Sequence, residues 1–323
     1  MDIKLEKQDN KSGDSDLAPQ GFGRVDPAWL RTFEKTELDE AYDHFEENGF
    51  VVVGGCLDVE EVQFLNDFFD QTQTSLPERW GLGRRKPHHR NQGLIYSQPL
   101  LDHPELDPYT RHPSSFPLVA RILGGEEHAR FSELNFRETP EDSGVGAMNF
   151  HHDNVVADRF MRKPYLPCDW VCAIHYLTDV APDTPSFCVV PKSNRYESLK
   201  EAYESLGDDY VEVPIYGKAG TCVIYDTATF HTRYDGDGVK SRRTWHQYYA
   251  RGGWLRSALP TTDKYMRAPT PALTDWNLFP ERLVKSEDQG TKRFFSHWNT
   301  AMCEWAASNF DPEVRRAMPR GEQ

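Results

Sequence analysis

Phe150-His151-His152-Asp153 is a short run that is answered far along the chain by Phe230-His231 and then by Arg242-Arg243-Thr244-Trp245. His151 and Asp153 are two residues apart. In extended backbone this spacing puts both side chains on one face and turns His152 to the other. His231 arrives from a different strand-like segment. Two histidines and one carboxylate on one face of a metal are a ligand set used by iron(II), with the opposite face left open. A His-x-Asp alone is commonplace. The ordered co-occurrence of the three residues, the arginine and the flanking strands is what carries weight.

Around this run the chain reads as a series of short strands punctuated by Gly, Pro and Asp. They are Ala129–Arg137, Ala147–His151, Trp170–Thr178, Ser186–Val190, Tyr210–Pro214, Gly220–Asp226 and Arg243–Tyr249. A helix over Leu199–Leu206 interrupts them. Such a series suggests an antiparallel sandwich or barrel. Upstream, Leu38, Ala41, Tyr42 and Phe45 share a helical face, and Thr36-Glu37-Leu38-Asp39 has the form of a capping box. Asn48-Gly49 ends that helix, Phe50–Val53 is a buried strand, and Asp58 starts a second helix with Val62, Leu65 and Phe69 inward. Residues 73–115 read as a long irregular stretch with short helical turns, followed by a short helix near Pro117–Leu123. Downstream, Thr291–Asn309 has helical character. The fold class expected is α+β: a β core over about 129–250, with N-terminal helices and a helical extension over about 260–323. Residues 1–20 are polar and charged and are expected to be a disordered tail. Residues 21–323 are expected to form one domain.

Composition narrows the function. The 323 residues carry a formal charge of −14 and a pI near 5.3. With no basic face to neutralise phosphates, a nucleic-acid partner is not expected. No signal peptide or membrane anchor is read at the N-terminus, and no apolar run is long enough to span a bilayer. The six cysteines include no Cys-x-x-Cys pair and read as buried, reduced thiols of a cytoplasmic protein. Arg84-Arg85-Lys86-Pro87-His88-His89-Arg90 stands out in so acidic a chain. Its plain reading is a solvated loop, and its sharper one a lid that meets an anionic substrate. His152 and His246 read as supporting residues, while His175 is left undecided between the cavity and the outer face. Trp254, Phe294, Phe295 and Trp298 read as core, or as an interface between two subunits of a homodimer.

Several of these segments together resemble the phytanoyl-CoA dioxygenase family. They are Asn48-Gly49-Phe50-Val51-Val52 after a helix, the His-x-Asp, Val189-Val190-Pro191 with Ser193, Gly220-Thr221-Cys222-Val223-Ile224, the distal His231 and the later Arg. The resemblance runs from about Leu38 to Ala250. It implies a double-stranded β-helix, the jelly-roll of cupin-like proteins, and an iron(II)- and 2-oxoglutarate-dependent dioxygenase of hydroxylase type. It implies His151, Asp153 and His231 as metal ligands, with dioxygen and a small organic molecule as substrates and ascorbate as a reductant. The residue that binds the far carboxylate of 2-oxoglutarate follows the distal histidine by eleven positions in this family, which is Arg242 here. An arginine suits that task, because its planar fork meets a carboxylate bidentately. Arg243 is a rival that would face the opposite side of the strand. Where the family has His-Gly-Ser, this chain has His231-Thr232-Arg233, so Thr232 is the candidate for the supporting hydroxyl. Arg137 could match a family basic residue on the strand before His-x-Asp. Asp153 is retained, which speaks against the halogenating branch. A non-catalytic jelly-roll binding protein and a cupin-like metallohydrolase are the rival readings, and hydrolysis gives Arg242 no obvious task.

Overall fold

The computed structural model describes residues 21–77, 79–80, 94–97, 99–139, 149–153, 168, 170–234, 240–251 and 280–296. In chain order the elements are β1 (Thr32–Glu34), α1 (Leu38–Asn48), β2 (Phe50–Gly54), α2 (Val59–Ser75), β3 (Leu94–Ser97), α3 (Phe116–Ile122) and β4 (Ala129–Thr139). They continue with β5 (Trp170–Tyr176), β6 (Ser186–Val189), α4 (Leu199–Leu206), β7 (Val213–Ile215), β8 (Cys222–Asp226), β9 (His231–Tyr234) and β10 (Arg242–Arg251). Two short helices, α5 (Glu281–Val284) and α6 (Gln289–Phe294), close the described chain.

The fold is mixed α/β around a large sheet. Seven strands run in the order β1-β2-β8-β5-β10-β4-β3, antiparallel except for the β1–β2 pair. A smaller antiparallel sheet runs β7-β6-β9, and an antiparallel bridge between His151 and His231 adds a fourth segment beside β9. Strand alternation sorts the apolar side chains into layers. On β2, Val51 and Val53 face outward into a core shared with Phe45 of α1, Leu65 and Phe69 of α2, and Leu118 of α3. Phe50 and Val52 face inward, where Ile174, Tyr176 and Val223 of the large sheet meet Phe187, Val189, Val213 and Ile215 of the small one. Because every side chain of β2 from Phe50 to Val53 is buried, its sequence is a continuous apolar run with no polar alternation. A third cluster lies where α4 covers the far side of the small sheet, with Leu199 and Ala202 against Cys188 and Val190.

Local chemistry explains the helix limits. Asp58 caps α2 in a full capping box: its carboxylate accepts from the Glu61 amide at 2.8 Å, and Glu61 accepts from the Asp58 amide at 2.9 Å. The box expected at Thr36 does not form. Glu37 is the N-cap of α1 without a side-chain cap bond, and its carboxylate reaches back to the Glu34 amide at 2.8 Å. Gly49 ends α1 with φ of 78°, a left-handed conformation open to glycine. A Cβ there would lie 2.6 Å from the Thr229 hydroxyl oxygen.

β1 and β3 were not expected from the sequence. At three and four residues they are too short for a periodic signal, and they add to the two edges of the large sheet. β10 begins at Arg242, one residue before its expected start. The C-terminal extension is helical at α5 and α6, where Phe294 and Phe295 are buried against Phe131. Residues 260–279 and 297–323, with Trp254, Trp298 and Cys303, lie outside the described residues, as do residues 1–20, the strand residues 147–148 and the basic run 84–90. Five free cysteines are buried, as expected. Among the described residues no helix is long and apolar enough to cross a membrane.

Candidate metal centre and its cavity

The bridge that seats His151 beside β9 is reciprocal: the His151 amide donates to the His231 carbonyl at 3.0 Å, and the His231 amide to the His151 carbonyl at 3.1 Å. Directly paired residues of this kind stand their side chains side by side. The two imidazole centroids are 4.4 Å apart. Two residues on, the Asp153 amide donates to the Thr227 carbonyl at 3.0 Å, returning its side chain to the same face. His151, Asp153 and His231 then offer ligand atoms that all lie within 4.8 Å of one another. His152 points away and packs on Phe230, ring centroids 3.8 Å apart, as the alternation required.

The hydrogen bonds behind these ligands select their donor atoms. His151 Nδ1 sits 2.9 Å from the Asn149 carbonyl, and His231 Nδ1 sits 2.8 Å from the Thr229 carbonyl. A carbonyl only accepts, so each Nδ1 carries the proton and each Nε2 presents a lone pair. Those Nε2 atoms face Asp153, at 3.7 Å from Oδ1 and 3.5 Å from Oδ2. Asp153 Oδ2 accepts from the hydroxyls of Tyr225 at 2.6 Å and Tyr248 at 3.0 Å, which leaves Oδ1 for a metal. Burial alone would raise the Asp153 carboxyl, but His231, His151 and the Tyr225 hydroxyl outweigh it and hold it well below the usual carboxylate range. Burial, with His231 beside it, lowers the His151 imidazole, favouring the neutral form that ligates. A divalent cation fits this donor set.

The triad opens into a cavity whose lining includes Arg137, Arg233, Arg242 and His246. Arg242 is 8 % exposed, and its Nε has no hydrogen-bond partner among the described residues. Burial pulls its pKa down to about 10, with Arg233 and Arg137 adding to the pull. A buried guanidinium in that state favours an incoming anion strongly. Arg243 points the other way, onto α2 and the edge of β4, where it meets Asp70 at 2.6 Å and Glu138 at 3.3 Å. Of the two rivals, only Arg242 lines the cavity.

Other expected residues are placed as follows. Arg137 lines the cavity with its Nε on Asn135 Oδ1 at 2.6 Å and its Nη2 3.4 Å from the Tyr248 hydroxyl. Thr232 borders the cavity, yet it pairs with Cys188 and alternates with His231, so its side chain leans to the opposite face of β9. The residue in phase with His231 is Arg233, which the sequence reading passed over. The signal was the same two-residue period that linked His151 to Asp153. His175 is on the outer face, bonded to the Ser115 hydroxyl at 3.1 Å and stacked on Trp245. Tyr225 and Tyr248 had no sequence signal, because nothing local distinguishes them from other strand tyrosines.

The profile of the phytanoyl-CoA dioxygenase (PhyH) family matches residues 45–244. The chain belongs to this family. A search of curated proteins finds no match. Solved structures with the same fold include SnoN, titled a non-haem alpha-ketoglutarate-dependent epimerase from nogalamycin biosynthesis. It is 19 % identical with a TM-score of 0.51, covering 67 % of this chain and 81 % of its own. SnoK, a carbocyclase of the same biosynthesis, is 17 % identical with a TM-score of 0.53, covering 75 % and 95 %. HygX from Streptomyces hygroscopicus, solved with nickel and 2-oxoglutarate bound, is 18 % identical with a TM-score of 0.51, covering 67 % and 87 %. At these identities the likeness of this PhyH-family chain to its neighbours is one of fold.

Proposed function

We propose that this chain is an iron(II)- and 2-oxoglutarate-dependent dioxygenase that oxidises a small organic molecule, by hydroxylation in its simplest form. The observation that carries the reading is the pairing, in one cavity, of the His151/Asp153/His231 cluster with a buried Arg242 whose Nε has no hydrogen-bond partner among the described residues. PhyH membership supports it, as do neighbours crystallised with iron or nickel and 2-oxoglutarate. The two-sheet arrangement is read as a double-stranded β-helix, and residues 21–323 as one domain around it.

His151 Nε2, His231 Nε2 and Asp153 Oδ1 would hold the metal on one face. The metal, when bound with 2-oxoglutarate and dioxygen, supplies oxidation of a substrate C–H bond coupled to release of succinate and carbon dioxide. Arg242 would pair with the far carboxylate of 2-oxoglutarate, and Arg233, on the same inward face of β9, adds positive charge there. Tyr225 and Tyr248 keep Asp153 ionised and fix which oxygen it offers. Asn149 and Thr229 hold the imidazole tautomers. The apolar wall from Phe187 and neighbouring strands limits water at the reacting centre. Asp153 occupies the coordination position that halogenating relatives leave open for a halide, so adding chloride or bromide should give no halogenated product by mass spectrometry.

The test is aerobic succinate formation from 2-oxoglutarate by iron-loaded protein with ascorbate, measured against His231→Ala. Succinate above that control supports the oxygenase. A protein that binds 2-oxoglutarate but forms none would instead be the non-catalytic jelly-roll binder.

A further inference from the structure

Arg233 stands two residues beyond His231 on β9, so its side chain returns to the face that carries the metal ligand. Register fixes what it meets. Arg233 is the direct cross-strand partner of Phe187, and Phe187 in turn of Ile215, so the three form one row across the small sheet. Opposite that row, the Tyr176 hydroxyl of β5 donates to the Ile215 carbonyl at 3.0 Å, which ties the two sheets together at this level. Tyr176 pairs with Thr244 of β10, and Arg242 is the next residue along β10 on the same face. Strands from different sheets thus bring Arg233 and Arg242 to one end of the cavity that both line. The charge of Arg233 is felt at Arg242, whose charged form it disfavours.

Two guanidiniums turned onto one space repel each other, and at 4 % and 8 % exposure both have given up most of their water. That arrangement is costly for the protein alone. Among the described lining residues Asp153 is the one carboxylate, and its oxygens are committed to the triad, Tyr225 and Tyr248. An anion seated between the two arginines reverses the sign of the arrangement. Each guanidinium presents a planar fork, and a carboxylate has lone pairs enough for both.

We infer that Arg233 is a second anchor for the far carboxylate of the 2-oxo acid, clamping it against Arg242, and that this arginine pair restricts the site to 2-oxo acids with an anionic far end. This rests on the dioxygenase reading above. It moves the supporting role from the Thr232 hydroxyl, which leans to the other face of β9, to the residue that follows it. Arg233 is then a specificity-determining contact and not only a nearby charge.

The experiment uses the full chain loaded with nickel(II), which supports binding without turnover. The ligands are 2-oxoglutarate and 2-oxopentanoate, the same skeleton with a methyl group in place of the far carboxylate. Calorimetry gives both affinities for wild type, Arg233→Ala and Arg233→Lys, while nickel titration and thermal unfolding check that metal site and fold persist. Arg233→Ala should weaken 2-oxoglutarate by roughly ten- to a hundredfold, the range of one hydrogen bond to a charged group, and leave 2-oxopentanoate unchanged. Arg233→Lys keeps the charge without the fork and should recover only part of the loss. It carries the same comparison of the two ligands if the alanine variant does not fold. The inference is overturned if Arg233→Ala leaves 2-oxoglutarate affinity intact or weakens both ligands equally. It is also overturned if lysine restores affinity in full, or if Thr232→Val carries the loss that depends on the far carboxylate. In each of these cases the dioxygenase reading stands. If wild-type protein fails to bind 2-oxoglutarate with the metal, both fall.

Discussion

Tyr225 shows how one hydroxyl can govern a ligand it does not replace. It donates to Asp153 Oδ2 at 2.6 Å, so Tyr225→Phe removes a bond to an ionised group and frees the carboxylate to turn. Metal affinity should fall by roughly ten- to a hundredfold, the usual effect of losing such a support, when followed by titration with nickel(II). His231→Ala removes a ligand outright. It should abolish metal binding and turnover while the circular dichroism of the fold persists; retained iron-dependent turnover would refute the ligand assignment. The neighbours Arg242 and Arg243 should separate cleanly. Arg242→Ala deletes a buried charge pair with 2-oxoglutarate, a loss of about 3 kcal/mol, or on the order of a hundredfold in KM. Arg243→Ala should leave that KM alone and lower stability by about 1 kcal/mol, because it pairs outside the cavity with an exposed Asp70 of α2 and a half-buried Glu138 of β4. The opposite ranking would place Arg243 in the cavity.

At the scale of elements, the turn from α1 into β2 is coupled to the loop that carries the distal histidine. The Gly49 carbonyl accepts from the Asp226 amide and from the Thr229 hydroxyl, both at 2.9 Å, and the Thr229 carbonyl in turn orients His231. Gly49→Ala meets both a positive φ and a 2.6 Å clash with Thr229. It should cost more than about 1 kcal/mol in denaturant unfolding and also weaken metal binding, whereas Asp58→Ala, which breaks the α2 capping box, should cost about 1 kcal/mol with metal affinity intact. Equal effects of the two variants on metal affinity would show that Gly49 acts on stability alone. The capping boxes also mark how far local sequence reaches. Asp58-x-x-Glu61 and Thr36-x-x-Asp39 look alike in sequence, but only the first forms. At the second, Glu37 is drawn back to the Glu34 amide as β1 joins the sheet edge, a demand that comes from tertiary pairing.

For the whole molecule, the buried Glu133 couples stability to pH. Its carboxyl moves from the ordinary 4.5 to about 8 in the folded protein. Between those values the folded state binds more protons than the unfolded state, so its contribution is fully present below about 4.5 and is lost as pH rises through about 8. Glu133→Gln cannot titrate. Its Tm relative to wild type, in protein free of metal and 2-oxoglutarate, should therefore climb steadily from pH 5 to pH 8. A constant difference across that range would mean that Glu133 is ionised throughout.

The clustering of His151, Asp153 and His231, the sheet-rich core and the helices at Leu38, Asp58 and Leu199 were legible in the sequence, because each depends on a period. Two-residue spacing puts His151 and Asp153 on one face wherever the strand runs, and helical spacing buries Ala41 and Phe45 whatever they meet. The choice of Arg242 over Arg243 was legible only as a spacing. It became a direction when β10 paired with β4 and β5 and turned Arg243 onto α2. Thr232 was expected at the cavity and borders it, while Arg233 was overlooked, because face is a property of the pairing with β6 and not of adjacency to His231. β1 and β3 carry too few residues to announce themselves and exist because a sheet edge was there to receive them. Tyr225 and Tyr248 come from two strands and meet at Asp153 only through register. Their roles are set by distances across the sheet, which no local pattern of residues encodes.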